Sequence, residues 1–305
     1  MEVSVVIPTY NRASQVIRAI DSVLAQTYTD YEIIVVDDGS TDKTRSMLEG
    51  QSHRVSYVYQ DNAGPAAARN NGIMRACGKW LAFLDSDDVW VPNKLQRQLS
   101  QCIGLNADLC FHDLSFTSPN GENIASWNEH VHKQRRSQIS LKTGIVPDAY
   151  QRMMTTGHLF LTTTFLVKRA VFCDAGYFNE GLRTSEDLEL YFRIAARYRV
   201  AYLSEVLAVY SPGAHRITDT ERIYRDRILA IRSSLKDRLS CRDITLAQWA
   251  RKGLLQETRS LAGFYRCSGF YYSALCAYVK YFQIKRAPLT KLIDQTSFDS
   301  VAPTG

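Results

Sequence analysis

Three aspartates, Asp85, Asp87 and Asp88, stand within four positions at the end of the apolar run Trp80–Leu84. Carboxylates so close repel one another, and each resists ionisation unless positive charge offsets the repulsion. In an extended segment residues i and i+2 share a face, so Asp85 and Asp87 can aim at one point. Two hard oxygen donors arranged in this way suit Mg²⁺ or Mn²⁺, above all when phosphate oxygens complete the shell. A second acidic pair, Asp37 and Asp38 followed by Gly39, ends the β-branched run "YEIIVV". A carboxylate there can accept hydrogen bonds from a ribose or a base edge. Both clusters also fit a plainer role as turns or helix caps, where aspartate is common.

The elements that must carry these side chains alternate. "EVSVVIP", "YEIIVVDDGS", "VSYVYQ" and "GKWLAFLDSD" have the pattern of four strands. Val16, Ile17, Ile20, Val23 and Leu24 repeat at helical spacing between the first two strands. Pro65–Ala76 and Pro92–Cys102 are expected helices with an early proline. Strands separated by single helices predict a doubly wound, mostly parallel α/β sheet flanked by helices. Ligands of such sheets bind beyond the carboxyl ends of the strands, where both acidic clusters fall. "ADLCFHDLSF" is a further strand, residues 117–150 are expected to form a variable loop, and "FLTTTFLVKRAVF" gives a strand and a short helix. "SEDLELYFRIAARY" is helical and "RVAYLSEVLAVYS" is expected to form two short strands. Beyond His215 the pattern stays helical to about residue 285, with Gly253, Gly263 and Gly269 as candidate breaks.

The longest apolar runs are about five to seven residues, too short to span a bilayer. The opening "MEVSVVIPTY" lacks the basic region and cleavage site of a signal peptide. Seven scattered cysteines, with no C-x-x-C pair and no Cys/His cluster, predict reduced thiols in a cytosolic protein. The net charge of +6 is uneven: Glu221–Lys291 holds fifteen Lys/Arg against five Asp/Glu, while residues 1–220 sum to about −2. An anionic partner for the last third and a solvated helix face both fit that surplus.

"VSVVIPTYNR", "IIVVDDGSTD", "NAGPAAARNNG" and "LAFLDSDDVW", in this order and at this spacing, resemble the successive signatures of family 2 glycosyltransferases. The likeness covers residues 1–100 well and continues more loosely to about 215. It implies a GT-A type fold and a nucleotide-diphosphate sugar, with a UDP-sugar the expected donor. It divides the chain into a catalytic domain over 1–217 and a helical C-terminal extension over 218–305. Within the first, 1–100 would bind the nucleotide-sugar and 101–217 would bind the acceptor and supply the base. Carried onto matching positions, the resemblance lays Pro8, Thr9, Tyr10 and Arg12 along the nucleotide. Asp38 would read the base, with Asp37 in support, and Arg69 would approach the nucleotide or diphosphate. Asp85, Ser86 and Asp87 would meet the diphosphate, with Asp85 and Asp87 holding Mn²⁺ or Mg²⁺ and Asp87 the direct ligand. His215 would complete the metal shell from a loop.

The resemblance also implies a base from a Glu-Asp pair about 100 residues later, where "TSEDLELYFR" matches with Asp187. A carboxylate at a helix N-terminus stays ionised and can take a proton from an attacking hydroxyl. Such a single displacement inverts the anomeric configuration. Against this, Thr184-x-x-Asp187 also matches a capping box, and Glu186 and Glu189 lie close enough to be mistaken for the base. Leu188 stands where relatives often carry tryptophan, so contacts to the donor sugar or acceptor are expected to differ.

The tail "GFYRCSGFYYSALCAYVKYFQIKR" packs eight Phe/Tyr with Arg266, Lys280, Lys285 and Arg286. Helical packing, peripheral contact with the inner face of an anionic membrane, and an oligomer interface all fit it. No nucleic-acid-binding motif is present. The reading that results is a transferase acting on a glycan or lipid-linked acceptor of surface polysaccharide synthesis. The competing readings are a non-catalytic sugar-nucleotide or glycan-binding module and an aspartate-dependent phosphotransferase. The phosphotransferase lacks its D-x-D-x-[TV] motif after the first strand, and a dinucleotide oxidoreductase lacks its G-x-G-x-x-G.

Overall fold

The computed structural model describes residues 1–51, 55–117, 123–127, 129, 141–156, 159, 161–211 and 220–289. The chain divides into two compact units. One comprises Met1–Pro147, His158–Glu180 and Arg197–Arg216; the other comprises Asp148–Gly157, Gly181–Ala196 and Ile217–Gly305. Two internal segments, 148–157 and 181–196, therefore group with the helices beyond 217.

The first unit is built on a ten-stranded mixed sheet. Its strands are β1 (Val3–Thr9), β2 (Tyr31–Asp38), β3 (Ser56–Gln60), β4 (Trp80–Phe83), β5 (Val89–Trp90), β6 (Leu109–Thr117), β7 (Asn123–Ile124), β8 (Gly144–Ile145), β9 (Phe165–Lys168) and β10 (Val200–Tyr210). The order is β3-β2-β1-β4-β9-β6-β10-β5, with β7 on β6 and β8 on β10. β3, β2, β1 and β4 are mutually parallel, and β9 enters antiparallel between β4 and β6. The helices are α1 (Ala13–Leu24), α2 (Thr44–Glu49), α3 (Pro65–Arg75), α4 (Lys94–Gly104) and, after a 3₁₀ turn at Thr162–Thr164, α6 (Val171–Ala175). Between them in the chain, α5 (Ala149–Thr156) belongs to the second unit with α7 (Glu186–Ala195), α8 (Thr220–Ser240), α9 (Ile244–Cys267) and α10 (Tyr271–Arg286).

The β-branched runs form strands because both faces are covered. All seven residues of β1 are buried, as a parallel strand between two helix layers requires. Val3, Val5 and Ile7 share one core cluster with Val16, Ala19, Ile20 and Val23 of α1. Each fully buried Val or Ile there contributes about 1.5–3 kcal/mol. The sheet runs outward from β1 through β2 to β3, then returns to β4 on the other side of β1. The register Val3↔Trp80 to Val6↔Phe83 brings the carboxyl ends of β1 and β4 side by side at that reversal. An open α/β sheet places its ligand crevice at this point.

Several expectations are corrected. "RVAYLSEVLAVYS" is one strand, β10, not two; the register on β6 shifts between Leu203 and Val206 and again between Val206 and Ala208. Bulges there interrupt the alternation that suggested a break. Of the three glycines proposed as breaks, Gly253 and Gly263 lie inside α9, and only Gly269, at φ 82°, separates two helices. A Cβ on Gly253 would stand 3.1 Å from the Met154 carbonyl oxygen and Sδ, so this glycine permits close approach of α9 to α5. The α8–α9 break falls at Arg242, with φ 58°, and Asp243 caps α9 by accepting from the Leu246 N–H at 3.1 Å. Short strands at 123–124 and 144–145 occupy part of the expected 117–150 loop.

Trp90, Lys94, Gln98 and His112 form a buried polar cluster. The Lys94 Nζ sits 3.5 Å from the Trp90 ring centroid and has no hydrogen-bond partner among the described residues. Trp90 Nε1 donates to the Thr163 carbonyl (3.0 Å), and Gln98 Nε2 donates to the Cys110 and Thr164 carbonyls (2.7 and 2.9 Å). Burial holds Lys94 well below the usual lysine range. Burial, and then the charge of Lys94, push His112 down from 6.5 to about 3. Between those two values the unfolded chain binds a proton at His112 that the folded protein does not, so stability falls as pH falls through this window. The His112→Gln variant is expected to flatten that part of the stability–pH curve in urea denaturation. An unchanged acid slope would contradict the assignment.

Candidate active site

The site is assembled at the carboxyl ends of β1, β2 and β4. Thr9 is the last residue of β1, and its buried Oγ1 has no hydrogen-bond partner among the described residues. Pro8 is buried beside it, while Tyr10 is 47% exposed. Asn11 adopts φ 51°, a left-handed conformation that asparagine tolerates. Its Oδ1 accepts from the Thr41 and Asp42 N–H groups at 2.7 and 3.3 Å, and its own N–H donates to Ser40 Oγ at 2.9 Å. Asn11 thus stitches the loop after β1 to the loop after β2. The sequence reading did not select it; a lone asparagine following a strand was the available signal.

Asp37 and Asp38 end β2 and are buried. Asp37 Oδ1 accepts from the Ser40 N–H (2.9 Å) and Oδ2 from the Tyr57 hydroxyl (3.0 Å). Burial, and then the Asp37 charge, raise the Tyr57 phenol. Asp38 Oδ1 accepts from Gln60 Nε2 and the Ala63 N–H (2.8 and 2.9 Å), and Oδ2 from the Gly64 N–H at 2.8 Å. Asp38 therefore holds the entry to α3, at the loop Asn62–Gly64. Gly39, at φ 82°, is required here, because a Cβ would stand 2.7 Å from the Asn62 nitrogen.

The acidic turn after β4 is held by two arginines from elsewhere in the chain. Arg12 Nη1 meets Asp87 Oδ1 at 2.9 Å and donates to Ser86 Oγ at 3.4 Å. Arg69, buried in α3, meets Asp85 Oδ1 at 2.9 Å, with its guanidinium 5.5 Å from the centroid of the Phe178 ring. The closest approach of each arginine is to the Oδ1 of its aspartate. Burial raises the Asp87 carboxyl, the neighbouring Asp85 charge adds to the rise, and Arg12 opposes it. Asp88 is buried more deeply; burial and then the charges of Asp85 and Asp87 raise it well above the usual carboxylate range. It accepts from the Ser211 N–H at 3.1 Å, and the Asp88 N–H donates to the Asp85 carbonyl at 2.9 Å to close the turn.

The donor set fits a hard divalent cation in part. Asp85 and Asp87 offer two carboxylates, but no group of three or more His, Cys, Asp or Glu forms a cage among the described residues. The rest of a shell would have to come from substrate oxygens or from His215, which lies outside the described residues.

Asp187 stands in the first turn of α7, in the second unit. The capping-box alternative fails here. Thr184 donates through both its N–H and its Oγ1 to Asp226 Oδ2, each at 2.9 Å, and Ser185 makes no side-chain cap bond at φ 60°. Glu189 is buried and ion-paired with Arg193 at 2.7 Å, Glu186 is also buried, and Asp187 is the half-buried acid of the three. Its Oδ1 accepts from the Leu188 N–H at 2.6 Å.

The sheet order, the crevice at the β1/β4 reversal and the paired acids define a GT-A glycosyltransferase fold. The model of "Glycosyl transferase family 2" matches residues 4–168, and the chain belongs to that family. An uncharacterized glycosyltransferase of Rickettsia typhi is 28% identical over 303 residues, covering 95% of this chain and 86% of that protein. The chain spans smaller shares, from 17 to 66%, of four further Rickettsia relatives. An Escherichia coli enzyme named UDP-Glc:alpha-D-GlcNAc-diphosphoundecaprenol beta-1,3-glucosyltransferase is 38% identical over 120 residues, which is 39% of this chain and 47% of that one. Residues 1–349 of Staphylococcus aureus TarS, solved in complex with UDP-GlcNAc, align with a TM-score of 0.68 at 18% identity, covering 96% of this chain and 84% of that chain.

Removing Arg12 leaves Asp87 without its countercharge in a mostly buried setting. Arg12→Ala is expected to lower stability by about 1–2 kcal/mol. In a double-mutant cycle with Asp87→Asn the two losses should fall short of additivity by about 1 kcal/mol. Additive losses in urea denaturation would show that the pair carries no coupling.

Proposed function

We propose that this glycosyltransferase is inverting and metal-dependent, and that it moves a sugar from a UDP-sugar to a hydroxyl of a glycan or lipid-linked acceptor in surface polysaccharide synthesis. The observation that carries the reading is the pair Asp85 and Asp87. Each is held at its Oδ1 by an arginine, at the sheet reversal where an open α/β sheet binds its ligands. The name of the Escherichia coli relative supports both the UDP-linked donor and an acceptor carried on a lipid diphosphate. The reaction then belongs on the cytoplasmic side.

In this reading Pro8, Thr9 and Tyr10 flank the nucleotide, and the unpartnered Thr9 Oγ1 is an available contact. Among the described residues Asp38 Oδ2 accepts the Gly64 N–H and, with two lone pairs, can take a second donor from the base. Asp37 supports it through Ser40 and Tyr57. Arg12, Arg69 and Ser86 stand beside the carboxylates that meet the diphosphate. Asp85 and Asp87, with His215, would hold Mn²⁺ or Mg²⁺. That ion, when bound, offsets the negative charge that builds on the departing diphosphate.

Asp187 is the base. Its carboxylate takes the acceptor hydroxyl proton as the oxygen forms its bond to the anomeric carbon. The bond from that carbon to the diphosphate oxygen breaks on the opposite face, and the nucleoside diphosphate leaves with the electron pair. Asp187 lies in the first turn of α7, where the helix dipole favours negative charge. Asp187→Asn should lower kcat by roughly 10²–10⁴-fold while UDP still binds with wild-type affinity. Full turnover in that variant would remove Asp187 from the role, and a product of retained anomeric configuration by NMR would overturn the single displacement.

A further inference from the structure

The exposed face of α10 carries none of the residues assigned above to donor binding or transfer. Leu275, Val279 and Phe282 are 61%, 50% and 49% exposed, and Arg286 follows them. At about 100° per residue these four side chains fall within about 60° of one another on the helix. Ala277 and Ile284, on the opposite side, are buried at 1% and 2%. Helix α10 therefore packs by one side and presents an apolar stripe on the other. Among the described residues no helix is long and apolar enough to cross a membrane.

Charge surrounds the stripe. Residues 244–289, which contain α9 and α10, hold seven Lys/Arg against one Asp/Glu, a surplus of +6 that equals the net charge of the whole chain. Lys285 and Arg286 are exposed at the end of the stripe, and the turn before it exposes Arg266 and Phe270. A straight apolar stripe bordered by cations is the pattern of a helix lying in the plane of an anionic lipid surface. The apolar side chains enter the acyl boundary, and each Lys or Arg meets the negative surface potential. A second copy of the chain fits less well, because a two-fold contact through this face would set one basic surface against another.

We propose that the Leu275–Arg286 face of α10 docks the protein on anionic lipid bilayers. This stands apart from the donor chemistry, so either reading can fail without the other. The test is co-sedimentation of the full chain with vesicles of phosphatidylcholine alone and with about one-third phosphatidylglycerol, at low and high salt. The wild type is expected to bind only the anionic vesicles and to be released by salt. The variant Leu275→Ser/Val279→Ser/Phe282→Ser should lose at least about tenfold in partitioning while keeping its melting curve and its UDP affinity. Because a variant can fail for other reasons, Phe282→Trp gives a second readout: its emission should shift to the blue on anionic vesicles alone. Absence of wild-type binding, unchanged binding by the triple variant, or an unshifted Trp spectrum would overturn the proposal. So would a wild-type dimer in sedimentation velocity that the triple variant dissolves, since a second copy would then cover the face.

Discussion

Two arginine–carboxylate pairs set the conditions for everything around the crevice. Like charges about 4 Å apart near a protein surface repel by about 4 kcal/mol, a large share of the 5–15 kcal/mol by which ordinary domains are stable. A turn carrying Asp85, Asp87 and Asp88 meets that repulsion with the guanidiniums of Arg12 and Arg69, each 2.9 Å from one carboxylate. The compensation is incomplete: Asp87 and Asp88 are still held above the usual carboxylate range by burial and by their neighbours. The turn is therefore poised to accept a further positive charge.

The two arginines reach it only because of the sheet. Arg12 follows β1, Arg69 sits inside α3, and the acids follow β4, so the chain must leave β1, build β2 and β3, and come back beside β1 to bring them together. Arg69 is fixed further by Phe178, whose ring lies under the guanidinium and against Phe83 of β4 at 5.6 Å. Asn70 holds the backbone of Phe178 from both sides, accepting its N–H and donating to its carbonyl at 2.9 Å each. In the second unit the neighbours of Asp187 are engaged elsewhere. Thr184 is taken by Asp226 and Glu189 by Arg193, which separates three clustered acids by environment.

Much of this was legible in the residues. The β-branched runs, the helices with early prolines and the acids at strand ends give the parallel half of the sheet and the crevice, because these depend on local periodicity and on a general rule of sheet topology. The ion pairs Arg12–Asp87 and Arg69–Asp85 span 75 and 16 residues and leave no periodic trace; a metal was the only countercharge the spacing suggested. Asp37 and Asp38 were read for what they could offer a ligand, whereas Tyr57, Gln60 and the loop at Ala63 and Gly64 already draw on them. Gly253 looked like a break because a glycine that lets α9 come close to Met154 of a neighbouring helix has the same local signature as a helix stop.

The central claim is that Asp85 and Asp87 form the cation-assisted diphosphate site of this glycosyltransferase. Calorimetric titration of UDP into the wild type and into Asp87→Ala, each with and without Mn²⁺, tests it directly. The account predicts UDP binding that Mn²⁺ strengthens in the wild type and no Mn²⁺ effect in the variant. UDP affinity that is equal in both proteins, with or without the ion, would contradict it.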